Sequence, residues 1–381
     1  MYTDMASPAT SSEVPPTADV VIVGGGIAGV SLAAEIGDRA RVVLLEADDA
    51  LFRHTSSRSA QQVQPSYGPP AVRQLTSTTL SILRRLDENA PAPVLSSRIL
   101  YVIGLDDSSK VSQMASEGTG LRLTSHSEVE DAVPGLLPGL VREVAADDDA
   151  SEVKVKLLLT RYAKRAQAHG VEFVSRAKLT AVARVGSSYR LTTTAGTVTA
   201  PIIVNAAGAW ADDVAALAGS RPLGLAPLRR TVILTAPTGT PVGPMWPMIY
   251  DAAGSLYFRP HGRQVLASPL EDEASLAEDA RPREDVIERT LARLNALTSF
   301  EVAGASEAWT GLRTVTRDDV PAVGFDHDSD GFFWLAGQGG YGIQTSAAIS
   351  ILAAAAILRE ASPLTGDDQQ AFESMTPNRF A

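Results

Sequence analysis

The chain contains no cysteine, which excludes disulfides, thiolate metal sites, a cysteine nucleophile and a thioether-linked cofactor. Excess positive charge is also missing: 33 Lys and Arg stand against 44 Asp and Glu, for a formal charge of -11. A nucleic-acid or anionic-membrane partner needs a basic surface to displace counterions, so neither is expected. Long apolar runs are absent. The longest, "AAISILAAAAIL" at 347–358, is Ala-rich and of buried-helix length rather than membrane-spanning length. The opening "MYTDMASPATSSEVPPTAD" lacks the basic and apolar regions of a secretory signal and reads as a disordered leader over 1–18. A soluble protein follows, with a reducing cytoplasm as its default setting. No internal repeat is visible, and no cluster suggests a metal.

What is present is enough for a large core. With 381 residues, 45% of them hydrophobic, the chain has material for two lobes. "DVVIV" at 19–23 is the continuous β-branched run of a parallel strand buried on both faces, and it ends in Gly24-Gly25-Gly26-Ile27-Ala28-Gly29. "IAGVSLAAEIG" then reads as a helix, and "RVVLLE" as a second buried strand ending at Glu46, at the spacing of a dinucleotide-binding unit. Gly24, Gly26 and Gly29 allow the tight turn and the approach of a diphosphate to the helix N-terminus, where N–H groups and the dipole favour negative charge. Glu46 is placed to accept from a ribose hydroxyl.

This fingerprint alone does not separate NAD from FAD. The rest of the chain does, because a polar stretch, "HTSSRSAQQVQPSYG" at 54–68, stands where an NAD enzyme would continue alternating strands and helices. A third buried strand comes late, in "APIIVNAAGAWADDVAALAG" at 200–219. A second glycine loop, "GQGGYGIQTSAA" at 337–348, follows the strand-like "GFFWLAG" and precedes a helix-like run.

The ordered motifs "VIVGGGIAG", "VVLLE", "TSSRSA", "VNAAGAWAD", "RPLGLAPLRR", "SLYFRP", "WTGLR" and "GFFWLAGQGGYGIQTSA" make the chain resemble the D-amino-acid oxidase and glycine oxidase superfamily of flavoproteins. Within it, the resemblance is to the D-arginine dehydrogenase type of D-amino-acid dehydrogenase. It implies an α/β fold of two domains, a discontinuous Rossmann-like FAD-binding domain (19–90, 146–222 and 310–381) and a mixed-β-sheet substrate domain (91–145 and 223–309). FAD is expected to be held noncovalently by Gly24, Gly26, Ile27, Ala28, Gly29, Glu46, the Arg58-Ser59 pair, and Ala207, Gly208 and Trp210. His54 lies where some relatives attach flavin, but its flanking residues match the noncovalent group. Free N–H groups of Gly339, Gly340, Tyr341, Gly342, Ile343 and Gln344 are expected to face the flavin ring and stabilise charge that develops on it.

The resemblance also implies a D-amino acid oxidised at its Cα–N bond to an imino acid, which hydrolyses to a 2-oxo acid and ammonia. Arginine is the natural carboxylate anchor, with a planar fork and permanent charge. Arg313 and Arg230 match the family's carboxylate-binding positions. Arg229 alternates to the other strand face and is expected to be solvated. Tyr257 is implied to orient the substrate, and Tyr67 to act as a lid lining the pocket. At the side-chain pocket the chain departs from the D-arginine type, with Gln62 and Leu100 in place of a histidine and a glutamate. A buried guanidinium without a carboxylate is costly, so a neutral, apolar or aromatic side chain is expected. The competing readings are an amine oxidase of the sarcosine or glycine-oxidase kind acting on an N-substituted or cyclic amino acid, and a flavin-binding protein without turnover. The electron acceptor, oxygen or a quinone or other carrier, stays open, and a monomer or weak dimer is expected.

Overall fold

The computed structural model describes residues 10–106 and 108–381. Its centre is a six-stranded sheet in the order Ala322–Phe325, Phe332–Ala336, Ile202–Asn205, Val20–Val23, Val42–Leu45, Glu172–Val174. The strands run parallel except the first, which pairs antiparallel with its neighbour. The apolar runs have no polar alternation because both faces are covered. Val20, Ile22, Val42 and Leu44 pack with the helices Ile27–Ile36, Val155–Ala168 and Ser346–Leu358, whereas Val21, Val23, Val43 and Leu45 pack on the other side. That second layer is an antiparallel three-stranded sheet, Leu179–Val185, Ser188–Thr193 and Gly196–Ala200, together with the helix Ala211–Ala218. The Ala-rich run at 347–358 is therefore a core helix, as its length suggested.

An eight-stranded sheet forms the other half, in the order Ala305–Val315, Ala226–Thr235, Gln264–Ser268, Tyr257–His261, Met248–Asp251, Leu100–Gly104, Glu143–Asp147, Arg122–Thr124. It is antiparallel apart from the parallel pair Met248–Asp251 and Leu100–Gly104. The helix Glu284–Leu297 packs on one face through Leu294 and Leu297. The other face carries Val232, Met248, Tyr257 and Leu270 toward the six-stranded sheet's loops. Positions 146 and 310 lie within the strands Glu143–Asp147 and Ala305–Val315 of this sheet.

The leader differs from its expected disorder where it is described. Ser11 bridges Val174, with its N–H on the Phe173 carbonyl at 2.8 Å, and Thr17 bridges Thr199. Residues 1–9 lie outside the described residues. No helix among the described residues is long and apolar enough to cross a membrane.

Candidate functional site

Both glycine loops and the polar 54–68 stretch converge on two adjoining cavities, of about 640 and 200 Å³, which share Gly26, Ser56, Arg58 and Gly208. The larger is lined by Gly24, Gly25, Glu46, His54, Ala207 and Trp210. Gly24 has φ +113°, and a β-carbon on it would lie 2.4 Å from the Ala206 carbonyl oxygen; one on Gly29 would lie 2.1 Å from that of Gly24. Strand, loop and helix can close on one another only with glycine at both positions. Gly29 lines neither cavity and acts through this packing.

Glu46 is 9% exposed, and its two carboxylate oxygens accept from the N–H groups of Gly25 and Asp48, each at 2.8 Å. Burial raises its carboxyl above the usual range despite those bonds. The helix Ile27–Ile36 has no side-chain cap of its own. Ser56 supplies one from outside, its Oγ accepting the Ile27 N–H at 2.9 Å. The sequence reading missed Ser56, although it stands in the quoted "TSSRSA". Arg58 lines both cavities but is committed to the protein, donating to the Thr310 carbonyl at 2.8 Å and pairing with Asp279.

The smaller cavity is lined by Ile27, Ala28, Ser59, Gln62, Tyr67, Arg230, Tyr257, Arg313 and the second glycine loop. Strand register explains the two arginines. Arg230 stands opposite Gly311 and Arg313 opposite Leu228, so all four share one face of the paired strands, while Arg229, opposite Leu312, points away. Arg229 is not solvated as expected, since it pairs with Glu278 at 2.7 Å. Arg230 is 7% exposed; its Nε donates to the Glu271 carbonyl at 2.9 Å and it pairs with Asp272, but Nη1 is buried with no partner among the described residues. Arg313 donates from Nη1 to the Tyr67 hydroxyl at 3.0 Å. Burial opposes its charge, yet the phenol oxygens of Tyr67, Tyr257 and Tyr341 outweigh this and hold its pKa above the ordinary value. Burial pushes the Tyr257 hydroxyl up as well.

Tyr67 is held from several sides. Its ring lies 5.4 Å from that of Tyr341 and 6.4 Å from that of Tyr250, and the Ser66 N–H donates to Asp147 at 3.0 Å. Tyr250, which also lines the cavity, has a hydroxyl pushed up to about 12 by burial. It sits one strand beyond "SLYFRP", and Met248 two residues before it lines the cavity too. Neither was picked out, because only the strand pairing brings them there.

Two expectations are corrected. Leu100 is 2% exposed and packs in the sheet's core without lining either cavity; Met248, its partner in register, supplies that wall. Tyr341 turns its ring into the core beside Tyr67, and its N–H donates to the Gln338 carbonyl at 2.6 Å, so it offers neither ring nor N–H to the cavity. Gly339, Gly340, Gly342, Ile343 and Gln344 do line it, although the Gly339 N–H is not free as expected but donates to the Thr314 carbonyl at 2.9 Å. The helix begins only at Ser346, and Gln344 turns its amide to Thr76 at 3.0 Å.

A glycine cradle at a helix N-terminus, a buried acid at the end of the second strand, and a cationic pocket continuous with both define a dinucleotide-dependent oxidoreductase. The features fit FAD: the cradle admits no side chain, and Gln338, in the adjoining smaller cavity, presents a buried amide nitrogen without a partner among the described residues. Residues 19–356 match the family described as FAD dependent oxidoreductase (DAO), and the chain belongs to that family. It is 23% identical over 415 residues to the hydrogen cyanide synthase subunit HcnC of Pseudomonas aeruginosa, covering 91% of this chain and 94% of that one. Its fold is similar to L-proline dehydrogenase from P. horikoshii (TM-score 0.83, 18% identity, 96% and 98% coverage). It is also similar to glycine oxidase from Geobacillus kaustophilus (TM-score 0.79, 20% identity, 92% and 97% coverage).

Proposed function

We propose that this FAD-dependent oxidoreductase oxidises the Cα–N bond of an amino acid, of D configuration and with a neutral side chain. The observation that carries the reading is the pair Arg230 and Arg313 on one sheet face, with a buried Arg230 nitrogen left unpartnered in the smaller cavity. Two guanidinium groups there favour a carboxylate, and a flavin needs no such clamp for itself. Bound FAD would supply the two-electron, hydride-accepting chemistry. Gly24, Gly26, Glu46 and the helix N-terminus would hold its nucleotide end, while Gly339, Gly340, Gly342 and Ile343 would flank its reacting end.

The chain's own residues bind and orient. Arg313 and Arg230 would fix the carboxylate, Tyr257 and Tyr67 would direct their hydroxyls at the substrate, and Met248, Val232 and Leu270 would exclude water. Among the described residues no Asp or Glu lines the smaller cavity, which supports a neutral side chain over the arginine of the D-arginine dehydrogenase type. No histidine among the described residues lines it either, so the substrate amine would lose its proton to solvent before reaction. His54 lines the larger cavity alone, bound to Asp48 at 2.7 Å, which supports noncovalent FAD.

A second reading, an N-substituted or cyclic amino acid, draws support from the similar proteins whose names specify proline and glycine. Anaerobic titration of the purified yellow protein with D-, L-, N-methyl and cyclic amino acids separates the two by which set bleaches the flavin. If none does, the amine-oxidation reading fails. Peroxide formed on readmitting air distinguishes oxygen from a quinone or other carrier as acceptor.

A further inference from the structure

Gln62 and Gln64 flank Val63, the last residue of the two-residue strand Gln62–Val63, and both line the smaller cavity while Val63 is buried among the helices. Gln62 is 9% exposed and Gln64 8%. The Gln62 Nε2 donates to the Arg98 carbonyl at 2.9 Å, which fixes which way the amide faces. Its other end, Oε1, is buried and has no partner among the described residues. Arg98 is itself tied in place, pairing with Glu152 at 2.6 Å, and Arg259 pairs with the same carboxylate at 3.2 Å from a fully buried position. Gln64 Nε2 donates to the Met248 thioether at 3.4 Å, a weak acceptor. The cavity wall thus holds an unsatisfied acceptor with a loosely occupied amide donor two residues along, and no acid among the described residues lines it.

An unpaired buried carbonyl is costly unless a ligand supplies the donor. A hydrocarbon side chain would leave it orphaned, and a cationic one would be buried without a counter-charge. We infer that Gln62 reads a neutral hydrogen-bond donor on the substrate's side chain, so that the preferred amino acid carries a hydroxyl or a carboxamide. This rests on the amino-acid reading of the site and replaces the apolar or aromatic preference expected from the sequence.

The test uses matched shapes: threonine against valine, and asparagine against leucine, in the enantiomer the enzyme accepts. The holoenzyme should favour the polar member by roughly fivefold or more in kcat/KM, and Gln62→Met should abolish or invert that ratio. Gln62→Glu keeps the shape, adds charge, and should instead raise turnover of lysine and arginine. Binding supplies an independent readout, as the flavin absorbance change with succinamate against 4-methylpentanoate, which share a shape. Succinamate should bind the holoenzyme more tightly, by a margin that Gln62→Met removes. A wild-type ratio at or below one in turnover and binding overturns the inference whether or not the variants fold. A ratio unchanged in both variants overturns it too. If no amino acid is oxidised but succinamate is still favoured through Gln62, the amine-oxidation reading fails and the donor preference stands.

Discussion

A β-carbon on Gly340 would lie 2.6 Å from Nε of Arg313 and 2.8 Å from its Cζ. The second glycine loop is thus shaped by an arginine as well as by any ligand, and Gly340 also takes φ +91°, which disfavours any other residue. Gly340→Ala should push the guanidinium off its position against Tyr67. The expected result is a loss of roughly 10- to 100-fold in kcat/KM, carried mainly by KM, with flavin content little changed. Steady-state kinetics beside the flavin-to-protein absorbance ratio checks this.

Arg313 and Arg230 share a strand face but not a set of partners. Replacing either with methionine should remove a charge-assisted contact of about 1.5–3 kcal/mol, or roughly 10- to 150-fold in kcat/KM. The double variant should lose less than the sum, because two forks on one carboxylate are coupled. Additive losses would place the two arginines on different parts of the ligand.

Glu46 accepts from both Gly25 and Asp48, one oxygen to each. Glutamine can accept at one oxygen only, so Glu46→Gln leaves a buried N–H unpaired, at about 1–3 kcal/mol. The variant should purify with less FAD and release it more readily on dilution, measured by recovery of flavin fluorescence.

Asp147 anchors the loop that carries Tyr67. Burial raises its carboxyl above the ordinary value, and the Ser66 bonds only partly offset this. A folded-state pKa above the unfolded one gives stability that is complete below the unfolded value and lost as pH rises through the folded one. Asp147→Asn should therefore flatten the dependence of Tm on pH just above the usual carboxylate range, as scanning calorimetry across mildly acidic buffers would show.

The sequence made the nucleotide half legible because its signals are local: strand, glycine turn, helix and Glu46 follow within one short stretch. Arg230 and Arg313 were legible from their motifs, and strand alternation separated Arg230 from Arg229. Leu100 was misread for a physical reason. Every residue of Leu100–Gly104 is buried, so no polar alternation marks which face meets the cavity. Tyr250 and Met248 were invisible because a sheet order that interleaves distant segments sets their place. The orientation of Gln62 depends on a carbonyl 36 residues away, which no spacing rule encodes.

The strand Glu172–Val174 is the outer edge of the six-stranded sheet, and the leader covers it. Ser11 donates to Phe173 and accepts from the Ser175 N–H at 3.3 Å, occupying groups that a bare edge would offer to another chain. For anyone expressing this protein, a shortened version starting at Asp19 should keep its flavin spectrum yet self-associate as concentration rises. Light scattering of the shortened and full chains at matched concentration would register that difference in colloidal behaviour.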